Sequence, residues 1–160
     1  MPSRKKNLSW LTESYIRELC TEQSFERGQN YFEAGVIVRP VIMGNTLVAE
    51  CEGTDYQPYK VTVSFGNGGI SSASCSCPYD WGGYCKHIVA LLLAWLHRPE
   101  DFVSVDDVRT QLRRMTKTQL NQLIWQMAKH DPAILYLLAH KLQSGDACPA
   151  SKDSGLHDNE

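Results

Sequence analysis

An α+β fold is predicted by two changes of texture along the chain and by one cluster at the second of them. Before Gly35 the apolar side chains recur at three- and four-residue steps, from residue 36 to residue 75 they alternate, and from His87 the helical period returns. Three of the six cysteines, Cys75, Cys77 and Cys85, fall within eleven residues where sheet gives way to helix. The expected order is N-terminal helices, an antiparallel meander sheet of about four strands, a metal-binding knuckle, and a C-terminal helical bundle.

The chain has 160 residues, 42% hydrophobic, with sixteen Lys and Arg against eighteen Asp and Glu. Enough apolar material is present to build a core, which excludes disorder of the whole chain. The longest apolar run, Ile88 to Leu96, holds nine residues, against about twenty for a membrane-spanning helix. Met1 to Asn7 carries charge but leads into no apolar stretch, so no secretory signal is read and the cytoplasm is expected. Asp146, Asp153, Asp158 and Glu160 oppose Lys152 alone at the C-terminus, leaving the rest of the chain near neutrality. Charge by itself predicts no tight grip on nucleic acid.

Each element has a local cause. Leu8, Leu11, Tyr15, Ile16 and Leu19, then Phe25, Tyr31 and Phe32, mark two short helices, with Thr12 and Thr21 or Ser24 as N-caps and Gly35 as the stop. Residues 36–43 are β-branched, Gly44-Asn45 is a turn pair, and 46–51 continues as a second strand. Leu47, Ala49 and Cys51 share one face, which predicts a buried, inert Cys51. A second hairpin alternates Tyr59, Val61, Val63 and Phe65, then turns at Asn67-Gly68-Gly69 into 70–75. The stretch from His87 is apolar almost all round and is expected at the centre of the fold, ending at Pro99. Ser104 with Asp107, Thr116 with Gln119, and Asp131-Pro132 each open a further helix. The first of these carries the apolar stripe Val105, Val108, Leu112 and Met115. The division is therefore 1–97 for helices, sheet and knuckle (75–87), 98–144 for a helical extension packed on the same core, and 145–160 for a disordered acidic tail.

Cys75-Ser76-Cys77 and Cys85-Lys86-His87 together read C-x-C-x7-C-x-H, four good zinc ligands in one short stretch. Chance supplies about 0.2 C-x-H pairs in a chain with this many cysteines and histidines, so both pairs together are rarer still. Alternation at a strand end presents Cys75 and Cys77 on one side, Pro78 and Gly82-Gly83 suit the reversal, and non-helical backbone at the helix start would turn Cys85 and His87 to the same point.

These residues resemble the SWIM-type zinc finger, with C-x-C, a variable loop, then C-x-H. The resemblance extends to Phe25 through Val36 and to Ile88 through Leu91, and covers roughly residues 10–142. It implies one structural Zn2+ on Cys75, Cys77, Cys85 and His87, and an interaction role toward DNA or protein. It is closest to the stand-alone, bacterial helicase-associated type, whose partner would be a helicase-type ATPase. The chain has no G-x-x-x-x-G-K-[ST] phosphate loop and reads as the accessory module alone.

Four protein donors close the zinc shell and leave no place for an activated water, so a non-enzymatic role is expected, with no membrane and no small-molecule substrate. A thiol-based redox sensor that releases zinc and a Cys–His thiol enzyme are the competing chemistries. Lys86 and the helix N-terminus would offset the net −1 charge of three thiolates and Zn2+. For partner binding, Arg109, Arg113 and Lys117 at four-residue steps form a candidate basic stripe, and Tyr79, Trp81 and Tyr84 are candidate stacking residues. Arg4, Lys5 and Lys6 add a small basic arm.

Overall fold

Short polar side chains start five of the described helices where the sequence places them. In the computed structural model, which describes residues 8–54 and 56–143, the Thr12 side chain accepts from the Tyr15 N–H to open α1 (Glu13–Glu18), and Thr21 accepts from Ser24 to open α2 (Glu22–Glu33). Thr116 and Gln119 form a reciprocal capping box before α5 (Lys117–His130). Ser104 accepts from the Asp107 N–H at 3.2 Å at the start of α4 (Val105–Arg114). Asp131 accepts from Ala133 at 2.9 Å at the start of α6 (Pro132–Gln143). Each cap satisfies an otherwise orphaned first-turn donor.

The meander is β1 (Ile37–Met43), β2 (Thr46–Cys51), β3 (Tyr59–Phe65) and β4 (Ile70–Cys75), each antiparallel to the next. A fifth strand joins it. β5 (Val103–Ser104) runs parallel to β1 through Val41 opposite Val103 and Ile42 opposite Ser104, giving the order β4-β3-β2-β1-β5. Two residues are too few to show a period, so only the partner strand defines this element. β1 also carries a bulge between Val38 and Val41, where Arg39 takes φ +50° beside Pro40 and its guanidinium meets Glu50 at 3.1 Å.

Alternation sorts the strands as expected. Leu47, Ala49, Cys51, Val61, Val63 and Phe65 are all buried on one face, and α3 (Lys86–His97) lies across it. Nine consecutive residues of α3, His87 to Trp95, are buried because α2 packs on its other side. Gly28 makes that approach possible: a Cβ there would run into the Val89 side chain and stand 3.0 Å from the Lys86 carbonyl oxygen. Phe102, after a 3-10 turn at Pro99–Asp101, closes the end of α3 edge-on against Trp95 at 4.9 Å.

The chain divides into two compact units, Met1–Arg113 and Arg114–Glu160, later along the chain than the division after His97 read from the sequence. α4 buries no residue, and its expected apolar stripe is largely open, with Val108 and Leu112 exposed. Of α5 and α6 only Ala128 is buried. The basic arm Arg4, Lys5 and Lys6 and the acidic tail 145–160 lie outside the described residues. No described helix is long and apolar enough to cross a membrane.

Candidate metal centre

Cys75 is the last residue of β4, opposite Val61. Pairing continues one residue further, with the Ser76 N–H donating to the Lys60 carbonyl at 3.0 Å and the Lys60 N–H to the Ser76 hydroxyl at 2.9 Å. Ser76 is thereby held to the sheet edge, and Cys75 and Cys77 on either side of it project together toward α3. The loop then reverses under tight control. The Tyr79 hydroxyl donates to the Gly82 carbonyl and accepts from Ser24, at 3.2 and 3.0 Å. The Tyr84 N–H donates to the Leu19 carbonyl at 2.9 Å. Gly83 takes φ +69°, and a Cβ there would stand 2.8 Å from the Leu19 carbonyl oxygen, so glycine answers both a conformation and a close approach.

Cys85 is the extended N-cap of α3, and His87 is already in its first turn. Only Cys85 has the non-helical backbone expected for both: the step from cap to second helical residue is enough to bring thiol and imidazole together. The donor atoms of Cys75, Cys77, Cys85 and His87 all lie within 4.8 Å of one another. The Cys75 Sγ is 3.5 Å and the Cys85 Sγ 4.0 Å from Nδ1 of His87. A tetrahedral zinc with bonds of about 2.0 and 2.3 Å requires N···S edges of about 3.5 Å and S···S edges of about 3.8 Å. The four residues are thus positioned to bind one zinc ion.

The donor chemistry fits as well. Hydrogen bonding with Cys85 and then burial push the Cys75 thiol up, and burial pushes up Cys77. Cys85 moves the opposite way, down to about 4, because Cys75 and then His87 hydrogen-bond its thiolate. Backbone N–H groups favour each thiolate in turn: Cys77 toward Cys75, Tyr79 toward Cys77, and Ile88 in the first turn of α3 toward Cys85. One negative charge shared by three sulfurs invites a cation at their centre.

Nδ1 is the histidine nitrogen turned toward the sulfurs. Nε2 is buried without a hydrogen-bond partner, while the ring is stacked on Tyr59 at 4.5 Å and met edge-on by Tyr31 at 5.5 Å. A metal on Nδ1 fixes the neutral tautomer with its proton on Nε2. Tyr59 and Tyr31 orient a ligand, a role that no local pattern in the sequence marks. In the sequence Tyr59 is one more alternating apolar residue, and Tyr31 one more apolar residue in a helical run. Lys86 donates to the Tyr31 hydroxyl at 2.7 Å and lies over that ring. Cys51 is buried as expected, its thiol pushed up to about 12 chiefly by burial.

The partner-binding candidates separate. Arg109 and Arg113 share α4, but Lys117 opens α5 after the break at Met115-Thr116, so the three do not form one helical stripe. Among the aromatics, Tyr79 is tied into the loop and Tyr84 is half-buried against the core, whereas Trp81 is 86% exposed.

Residues 59–96 match the family model for the SWIM zinc finger. The chain is also similar to the zinc finger SWIM domain-containing protein 8 homolog of Drosophila melanogaster, 27% identical over 119 residues, which covers 74% of this chain and 6% of that protein. No solved structure matches. From β3 through the four donors to the buried helix behind them, it is this stretch of the chain that matches the SWIM zinc finger.

Proposed function

We propose that the chain is a non-enzymatic interaction module, held in shape by one structural zinc, that serves a protein or nucleic-acid partner in the reducing cytoplasm. The observation that carries this reading is the donor set: Cys75, Cys77, Cys85 and His87 converge on one centre and would fill every position of a tetrahedron. Zinc bound there supplies a cross-link between the sheet edge and α3, and the protein's own residues do the rest. Tyr59 and Tyr31 fix the imidazole, backbone amides stabilise the thiolates, and the 78–84 loop presents Trp81 to the outside.

A helicase-type ATPase is the protein partner the resemblance suggests. The chain spans a small part of the length of the curated relative it matches, so the partner belongs to this proposal alone. A zinc-releasing redox sensor is a second reading, favoured by Cys75 and Cys77, which are only half-buried.

Metal analysis of chain purified under reducing conditions should find one zinc, with the three ligand thiols protected from iodoacetamide until a chelator is added. A metal-free chain with one fast-reacting thiol would instead support a Cys–His enzyme. Partner capture from native cytosol, repeated after nuclease treatment, separates a nucleic-acid partner from a protein.

A further inference from the structure

Beside the metal centre opens a cleft of about 290 Å³, at the small end of ligand-sized sites. Its walls come from separate segments: Arg27 on α2, Thr54 and Tyr59 around the β2–β3 connection, Trp81 in the 78–84 loop, and Lys86 at the start of α3. The lining holds two cations and, among the described residues, no carboxylate. Three of the four donors, Cys77, Cys85 and His87, line it as well. A zinc centre with three thiolates would carry one negative charge, against two from Arg27 and Lys86 of the opposite sign, so cations prevail.

The side chains differ in what they have left to offer. Tyr79 uses its hydroxyl within the loop, the Tyr59 ring is stacked on His87, and Lys86 is engaged by Tyr31. Arg27 is exposed and forms no ion pair among the described residues, and Trp81 presents most of its indole to solvent. A cation next to an open aromatic face suits an anionic group followed by an apolar one. A long polyanion is less well served, because Glu22, Glu26 and Glu33 stand on the same helix as Arg27 and the chain is net −2.

We propose that this cleft docks a short acidic segment of a protein partner, with a carboxylate on Arg27 and a neighbouring apolar side chain on Trp81. The proposal rests on the interaction-module reading and narrows it to a protein partner. It also gives zinc a second consequence, since Trp81 lies between Cys77 and Cys85 and Lys86 lies between Cys85 and His87.

The test uses the zinc-loaded full chain and a blocked, fluorescein-labelled peptide of alternating glutamate and leucine, followed by anisotropy. Saturable binding is expected, at least about tenfold tighter than for the peptide with glutamine in place of glutamate. Arg27→Ala and Trp81→Ala should each weaken it by about tenfold, with zinc content and melting curve unchanged. Arg109→Ala should leave it as it was. No binding, equal binding of the glutamine peptide, or wild-type affinity in both variants overturns the proposal. So does an oligothymidylate that binds more tightly than the acidic peptide and is released by Arg27→Ala, which would make the partner a nucleic acid. If the Arg27→Ala/Trp81→Ala chain still captures a nuclease-resistant partner from cytosol, the cleft assignment fails while the module reading stands. A wild-type chain that captures nothing removes the module reading separately.

Discussion

α3 and α6 are both twelve residues long, rich in leucine and alanine, and end near a histidine, yet α3 buries nine residues and α6 none. Their letters do not explain this. α3 has the sheet on one side and α2 on the other, and its first turn supplies a metal ligand, His87. The principal neighbour of α6 is the single helix α5. Burial is a property of what lies opposite, and a helix that is apolar all round is central only when two surfaces are available to cover it.

Metal removal should break this contrast most completely. Apparent energies of about 10–16 kcal/mol accompany structural zinc in small finger peptides near neutral pH, against about 5–15 kcal/mol for the stability of a whole domain. Chelation, or Cys77→Ala, is therefore expected to abolish the cooperative melting of the unit built on α3. Calorimetry on a sample verified as metal-free checks this, and an unchanged transition would mean that sheet and helices hold α3 without the ion.

Packing gives the next largest effect. Leu91 is fully buried at the middle of α3, so Leu91→Ala should cost about 2–5 kcal/mol through lost transfer energy and the cavity left behind. Urea unfolding of the zinc-loaded chain reads it directly.

Zinc affinity should also depend on pH in a particular way. Hydrogen bonding and burial favour the thiol form of Cys75 and Cys77, whereas hydrogen bonds from Cys75 and His87 draw Cys85 down and favour its thiolate before zinc arrives. Zinc is then expected to displace two protons, not three. Between pH 7 and 8 the apparent association constant should rise about a hundredfold, and a thousandfold rise would show that all three sulfurs begin protonated. Competition with a colorimetric chelator at several pH values distinguishes the two slopes.

How much of this was legible in the sequence follows the range of the forces involved. Thr12, Thr21, Ser104, Thr116 and Asp131 act within three residues, and each cap stands where it was read. The four ligands were legible because their spacing is itself local. β5 was not, since Val103 and Ser104 become a strand only through β1, more than sixty residues earlier. Nor was the stacking of Tyr59 on His87, nor a cleft drawn from α2, β3 and the 78–84 loop. The basic stripe failed for a nearer reason: the capping box at Thr116 starts a new helix between Arg113 and Lys117.

Gly83→Ala sharpens the same lesson at smaller amplitude. Its positive φ and the Leu19 carbonyl 2.8 Å from the added Cβ should together cost about 1–3 kcal/mol, appearing as weaker zinc retention because Gly83 lies two residues before Cys85.

The smallest effect is expected where the opening contrast is sharpest. Leu137 in α6 is 62% exposed, so Leu137→Ala deletes a side chain that is mostly hydrated already and leaves a residue of better helix propensity. The change in unfolding free energy should stay within about 0.5 kcal/mol, against several for the same substitution at Leu91. A cost at Leu137 comparable to that at Leu91 would mean that α6 is covered in solution, and the apolar residues of the two helices would then obey one rule after all.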